Sequence, residues 1–361
     1  MALEETIYNN GDDYFDALLG AIAQAKATIQ LETYIFDQDV LGIKILEALV
    51  LAADRQVKVQ LLLDGVGSSA WTFKDAEKWR LRGIELKFFH ALPWQKRRSF
   101  IFQSLSFKKM AVGFFKLKHR NHRKTCTIDD TITFIGSMNV SSRHLPSVYG
   151  QQAWRDTAAQ ITGENTQQYR DSFAEAWSFS QQHYGNRWLK ISSQKRQLHQ
   201  KIIRSISSAQ KRVWITNPYF VPDLKLTLAL CSVAGRKIEV KILLPSRSDM
   251  FGIKFAMEGF YTLLLTFGIE IYEYTPSILH AKVLIVDDWV TMGSSNLDPQ
   301  SIFYNLEIDA HLIQSESIKT IETQFLQDLQ ISKRIQFSAW NKRSWFNKAL
   351  EKFFLYFRKS L

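Results

Sequence analysis

Two short stretches of this chain repeat one arrangement of polar residues. In the first, His122 and Lys124 stand two apart, Asp129 follows, and Gly136, Ser137 and Asn139 come next. In the second, His280 and Lys282 precede Asp287, then Gly293, Ser294 and Asn296. Both fit His-x-Lys-x4-Asp followed by Gly-Ser-x-Asn, 158 residues apart. A lone His-x-Lys is common by chance. Two copies with the same downstream Gly-Ser and Asn are not.

The residue types suggest the chemistry. Thr125, Thr127 and Ile128 in one copy, and Val283, Leu284, Ile285 and Val286 in the other, are apolar or β-branched, so each motif reads as a strand. Residues two apart on a strand share a face, which points His and Lys into the same space. There an imidazole can attack phosphorus or act as an acid, while an ammonium stabilises phosphate oxygens as a point charge. The Gly-Ser turn brings Ser137 or Ser294 and backbone N–H groups close, and Asn139 and Asn296 add amide donors. Two such sets facing each other would surround one phosphate with two imidazoles, two cations and two amides. That is a phosphodiester site with one histidine as nucleophile and the other as proton donor. No Asp, Glu or His cluster resembles a metal site, and two lysines supply the charge, so neither metal nor cofactor is expected.

With these motifs the chain resembles the phospholipase D superfamily, and more narrowly the bacterial cardiolipin synthases that lack an N-terminal membrane span. The resemblance runs over roughly residues 8–335. It includes Leu31-Glu32-Thr33-Tyr34, Asp64-Gly65, Trp154-Arg155-Asp156, Asn217-Pro218-Tyr219-Phe220 and Asn305-Leu306-Glu307. The chain departs from the family pattern at Gln56 and Lys237, where an Arg-Gly-Val type of turn would carry glycine, and at Ser137, which is often glycine in cardiolipin synthases. The resemblance implies that His122, Lys124, Asp129, His280, Lys282 and Asp287 form the two catalytic motifs. Within them Asp129 and Asp287 usually bond backbone or neighbouring groups. Asp156 and Glu307 would orient the imidazoles, and Ser137, Asn139, Ser294 and Asn296 would contact the phosphate or the histidines. The activity implied is transfer of a phosphatidyl group from one phosphatidylglycerol to another through a phosphohistidine, with His122 as nucleophile and His280 as acid. A phospholipase D that uses water in the second step, and a nuclease of the same superfamily, stay open as alternatives.

Composition bounds the partners. The net charge of +11 is unevenly spread: residues 94–124 carry +10 and residues 331–361 carry +7, which leaves a mildly acidic body. Residues 94–118 mix their cations with Trp94, Phe100, Phe102 and Phe107. Residues 345–361 put Trp345, Phe346, Ala349, Leu350, Phe353, Phe354, Phe357 and Leu361 on one helical stripe. Bulky aromatics beside cations suit a lipid interface, and for the C-terminal helix docking on the protein's own core stays open as the alternative. The expected partner is therefore an anionic phospholipid surface rather than nucleic acid. The N-terminal residues are acidic and polar, with no signal-like apolar run, and no stretch approaches a membrane span. Cys126 and Cys231 read as buried thiols of a reducing compartment. Together these readings place the chain peripherally on the cytoplasmic face of a bacterial inner membrane.

The elements that must position the motifs alternate. The first half reads as a helix over 13–27, strand 28–36, helix 42–53, strand 57–64, helix 71–83, strand 85–90, the motif strand, and a helix over 166–181. The second repeats the order: helix 200–209, strand 212–220, helix 224–234, strand 239–245, helix 251–267, strand 270–274, motif strand 281–286, helix 317–330. This is an α/β fold of two similar α/β/α halves, each a mixed sheet between helical layers, packed as a pseudo-dimer with one composite active site. The expected divisions are 1–185, 186–335 and a basic amphipathic tail over 336–361, with a basic aromatic insertion at 94–118.

Overall fold

The computed structural model describes residues 3–97, 118–163, 166–179 and 186–356. Most of the basic insertion therefore lies outside the described residues. The chain forms two compact units. Unit 1 comprises Met1–Tyr149, Ala158–Gly185 and Tyr304–Ile308; unit 2 comprises Gly150–Thr157, Asn186–Phe303 and Asp309–Leu361. Each unit thus takes one short segment from the stretch of sequence that otherwise builds the other.

Unit 1 holds a mixed seven-stranded sheet of order β1-β7-β6-β5-β2-β3-β4. Its strands are β1 (Glu4–Tyr8), β2 (Thr28–Thr33), β3 (Lys58–Asp64), β4 (Glu85–Phe89), β5 (Thr125–Ile128), β6 (Ile132–Gly136) and β7 (Ala158–Thr162). β2, β3 and β4 run parallel, and β5 returns antiparallel beside β2 with Glu32 opposite Thr125. Parallel strands are covered on both faces, so β3 reads Val59-Gln60-Leu61-Leu62-Leu63 without polar alternation and is buried from Val59 to Asp64. Helices α1 (Gly11–Gln24), α2 (Val40–Asp54) and α3 (Phe73–Arg80) connect these strands. Side chains fix where they start: Asn10 caps α1 through Asp13 N–H, Asp39 caps α2 through Gly42 N–H, and Thr72 with Asp75 forms a capping box on α3.

Unit 2 repeats this plan with order β13-β12-β11-β8-β9-β10-β14. Here β8 (Arg212–Thr216), β9 (Glu239–Pro245) and β10 (Glu270–Tyr274) are the parallel trio, and β11 (Val283–Val286) returns antiparallel beside β8. β12 (Trp289–Gly293) and β13 (Asp309–Leu312) extend that side, and β14 (Ser332–Arg334) pairs with β10 at the other edge. The helix expected over 200–209 is longer, Asn186–Ser208. Among the described residues no helix is long and apolar enough to cross a membrane.

The duplication extends to backbone detail. Arg55 donates to the carbonyls of Ile22 and Ala25 at the end of α1, and Arg236 donates to those of Ser207 and Ala209 at the end of helix Asn186–Ser208. One residue later, Gln56 and Lys237 both take a left-handed conformation, with φ of 66° and 67°. These are the two positions at which the sequence carries Gln and Lys where the resemblance implies glycine. The left-handed turn lets Gln56 N–H and Val57 N–H close on the last carbonyls of α2.

The described C-terminal residues pack on unit 2. Ile335 and Trp340 are buried in the core of unit 2. The helix Trp345–Tyr356 lies against helix Phe251–Thr266, with Phe354 stacked on Phe255 at 5.4 Å and buried Glu351 paired to Arg343. The stripe read from the sequence is therefore split. Phe354 docks, while Trp345, Phe346 and Phe353 stay exposed, as does Tyr356, which is not part of that stripe; Phe357 and Leu361 lie outside the described residues.

A non-glycine side chain in the left-handed region costs about 1–2 kcal/mol. Gln56→Gly and Lys237→Gly are each expected to stabilise the protein by roughly 0.5–1 kcal/mol, after the entropy that glycine adds to the unfolded chain. Urea unfolding of the single and double variants checks this.

Candidate active site

Each motif sits where its sheet turns from regular pairing to a single bridged contact. The strands begin one residue after the lysines, at Thr125 and Val283, rather than at the histidines. Upstream of β5 the chain leaves β2 and bridges in parallel to the segment Tyr304–Ile308: His122 N–H donates to the Leu306 carbonyl at 2.9 Å, and Leu306 N–H donates to the Arg120 carbonyl at 2.8 Å. Upstream of β11, Arg155 and Leu279 bridge in the same way, and His280 N–H donates to the Arg155 carbonyl at 2.8 Å. The short borrowed segment of each unit is thus stitched to that unit's histidine.

These segments deliver the carboxylates. In unit 1, His122 Nδ1 lies 3.0 Å from both carboxylate oxygens of Glu307. In unit 2, His280 Nδ1 lies 2.9 Å and 3.2 Å from the two oxygens of Asp156. All four side chains are at least nine-tenths buried. A carboxylate only accepts, so Nδ1 carries the proton and Nε2 carries the lone pair in the neutral ring. Asp156, from the first half of the sequence, serves the second histidine, and Glu307 serves the first.

The lysines are held the same way in both units. Lys124 Nζ donates to the His122 carbonyl at 2.6 Å, and Lys282 Nζ donates to the His280 carbonyl at 2.5 Å. Both are buried. A buried ammonium costs heavily unless it has acceptors or a nearby anion. Ser137 and Ser294 are fully buried. Asn139 takes Ile35 N–H on its Oδ1 at 3.1 Å, whereas Asn296 Oδ1 is buried without a hydrogen-bond partner.

Asp129 and Asp287 lie at the opposite end of the motif strands. The Asp129 carboxylate accepts the N–H groups of Lys26, Ala27 and Thr28 at 2.7–2.9 Å, and Asp287 accepts those of Gln210, Lys211 and Arg212 at 2.8–3.0 Å. Both residues adopt positive φ, 50° and 52°. Partial burial pushes each carboxyl upward, but the three N–H donors outweigh it and hold both below the usual range. Asp129 fastens the turn that feeds β2, and Asp287 the turn that feeds β8.

Several supporting side chains carried no assigned role in the sequence reading. Tyr34 packs edge-on to the His122 ring at 4.9 Å, and Trp154 and Tyr219 flank His280 at 5.4 and 6.4 Å. Buried Glu32 accepts from Asn121 Nδ2 and Thr125 Oγ1 and so braces the motif from β2. Arg155 pairs with Asp328 at 2.9 Å and anchors the borrowed segment of unit 2. All but Asp328 belong to strings that resembled the family or to the motif itself; a charged residue in a strand that reads as buried was the available signal. Among the described residues, no three His, Cys, Asp or Glu side chains are grouped to hold a metal ion.

If the two imidazole–carboxylate pairs are functional and the two aspartates structural, substitutions should separate them. Glu307→Gln and Asp156→Asn replace an acceptor with an amide that can also donate, which frees the wrong tautomer; turnover is expected to fall about 10²–10⁴-fold with little change in stability. Asp129→Asn and Asp287→Asn should instead lose roughly 1–3 kcal/mol of stability. Their folded-state values are depressed, so the stabilisation is complete above the unfolded value near ~4 and disappears as pH falls through the lower folded value. Denaturant unfolding of these variants against wild type should accordingly show a difference at pH 7 that closes in acid.

Comparison with known proteins identifies the family. The family model described as "Cardiolipin synthase, PLD-like domain" matches residues 18–177 and 202–329. A cardiolipin synthase of Halalkalibacterium halodurans is 30% identical over 96% of this chain and 70% of its own length, and cardiolipin synthase 1 of Bacillus cereus is 31% identical over the same shares. The crystal structure of phosphatidylserine synthase from Haemophilus influenzae superposes with a TM-score of 0.72 at 13% identity, covering 99% of this chain and 95% of that one. That likeness supports the two-sheet α/β fold. With both repeats matched by one family and relatives alike along nearly the whole sequence, the chain belongs to the cardiolipin synthase family of phospholipase D-like enzymes.

Proposed function

We propose that this phosphatidyltransferase joins two phosphatidylglycerol molecules into cardiolipin, with release of glycerol, through a phosphohistidine. The observation that carries the reading is the duplicated set: each histidine backed at Nδ1 by its own buried carboxylate, each with a lysine two residues on. In the first step His122 Nε2 attacks the donor phosphorus. An N–P bond forms as the bond to the glycerol oxygen breaks, and His280 gives its Nε2 proton to the departing glycerol. In the second step His280 takes the proton of the acceptor's hydroxyl, whose oxygen attacks phosphorus and frees His122. Lys124 and Lys282 stabilise the charge on the phosphoryl oxygens, and Glu307 and Asp156 stabilise each imidazolium while it lasts. Water in place of the acceptor would give phosphatidic acid by the same path.

His122→Ala and His280→Ala are each expected to lower cardiolipin formation from phosphatidylglycerol by several orders of magnitude, because each removes a member of one unit. Thin-layer analysis of products from mixed detergent–lipid micelles checks this. Dominant phosphatidic acid from wild type would make it a phospholipase, and cleavage of plasmid or RNA that disappears in the double variant would make it a nuclease.

The substrate's phosphodiester lies at the headgroup level, so the protein must work at an anionic bilayer surface, peripherally and on the cytoplasmic face in this reading. The exposed Trp345, Phe346, Phe353 and Tyr356 beside a strongly basic C-terminal sequence supply the fitting surface. Replacing these four by Gln should leave the docked helix in place, since Phe354 and Glu351 are kept, and should weaken flotation with anionic vesicles at least tenfold at high salt. Undiminished flotation would remove this face from the membrane contact.

A further inference from the structure

Arg120 stands two residues before His122 and is almost wholly buried, yet none of its three guanidinium nitrogens has a hydrogen-bond partner. Its nearest anion is Asp64, with Nε 3.4 Å from Oδ2 in poor alignment for a hydrogen bond. Asp64 is already engaged: Oδ1 accepts Val66 and Gly67 N–H, and Oδ2 accepts Asn121 N–H. Burial moreover pulls its carboxyl above the ordinary range, against the opposing pull of Arg120 and these donors. A guanidinium offers five donors in a planar fork suited to phosphate, and burying it unmatched is costly. Glu32, the other buried acid on the adjoining strands, is committed to Asn121 and Thr125.

Backbone geometry says where such an anion would lie. The hydrogen bonds flanking the Asn121–Leu306 bridge make this stretch extended, with the Asn121 side chain turned to Glu32. Arg120 and His122 then share the other face, with Cα atoms separated by about 7 Å. Asp64 ends β3, so Arg120 also lies at the carboxyl end of the parallel strands, the side on which open α/β sheets bind ligands. Joining two phosphatidylglycerols requires two phosphates: the one being transferred, and the one the acceptor already carries. Those two are linked in the product through a single three-carbon glycerol, a spacing of the same order as that between Arg120 and His122.

We propose that Arg120 is the specificity residue for the acceptor, binding the phosphate borne by the attacking alcohol and so favouring a phospholipid hydroxyl over water or free glycerol. This rests on the transferase reading above.

The test uses the full chain with detergent-dispersed phosphatidylglycerol as donor and two soluble acceptors. Glycerol 3-phosphate presents its free primary hydroxyl three carbons from a phosphate, as the lipid acceptor does, and labelled glycerol presents none. Wild type is expected to prefer glycerol 3-phosphate at least tenfold in kcat/KM. Arg120→Gln and Arg120→Lys should reduce that ratio towards one, chiefly by raising KM for glycerol 3-phosphate, while transfer to glycerol falls less than threefold. Retained glycerol transfer also shows that the variants are folded. Added inorganic phosphate should inhibit wild-type transfer to glycerol 3-phosphate more than transfer to glycerol. An unchanged preference, equal losses with both acceptors in both variants, or a wild type without preference would overturn the assignment. If wild type transfers to neither acceptor and yields only phosphatidic acid, the transferase reading itself fails, an outcome distinct from failure of Arg120 alone.

Discussion

The contact on which the rest of this architecture depends is a buried imidazole against a buried carboxylate, made twice. Asp156 is completely buried, and Glu307 nearly so. Such carboxylates persist only if donors reach them, and in each case a histidine Nδ1 is among those donors. The same bond fixes the tautomer that leaves Nε2 available for chemistry. Because each carboxylate comes from a segment contributed by the other stretch of sequence, a single histidine motif could not assemble this pair from its own neighbourhood. The backbone bridges that seat Tyr304–Ile308 and Gly150–Thr157 beside the histidines are therefore as much a part of the site as the side chains.

Stability and chemistry are divided along each motif strand. At one end His and Lys meet the carboxylate and their own backbone. At the other, Asp129 and Asp287 each gather three N–H groups and pin the entries to β2 and β8. The lysines' return to the backbone carbonyls of His122 and His280 fixes each ammonium against its own motif's backbone. Nothing mobile need carry charge into place, which suits phosphoryl transfer, where positioning and electrostatic stabilisation supply most of the rate.

Much of this was legible in the sequence, for identifiable reasons. The parallel trios β2-β3-β4 and β8-β9-β10 alternate with helices in the chain, and their spans are close to those expected. The antiparallel additions were missed: β1 and β14 are short edge strands, and β6, β7, β12 and β13 contain polar residues such as Thr133, Gln160, Thr291 and His311 that blur the pattern. The paired motifs announced the histidines and lysines because the chemistry demands local spacing. Which acid serves which histidine could not be read that way, since it is set by the exchanged segments. The C-terminal stripe illustrates a further limit: a helix with aromatics around much of its surface can dock one side, through Phe354, and expose another.

The account's central claim is that phosphorus passes through a histidine, so that two displacements occur at it. Stereochemistry at phosphorus measures this directly. A phosphatidylglycerol analogue of defined phosphorothioate configuration, turned over by wild type and analysed by phosphorus NMR, should give product with retained configuration, because each in-line displacement inverts once. Net inversion would mean that the acceptor attacks the donor directly, and would contradict the phosphohistidine mechanism.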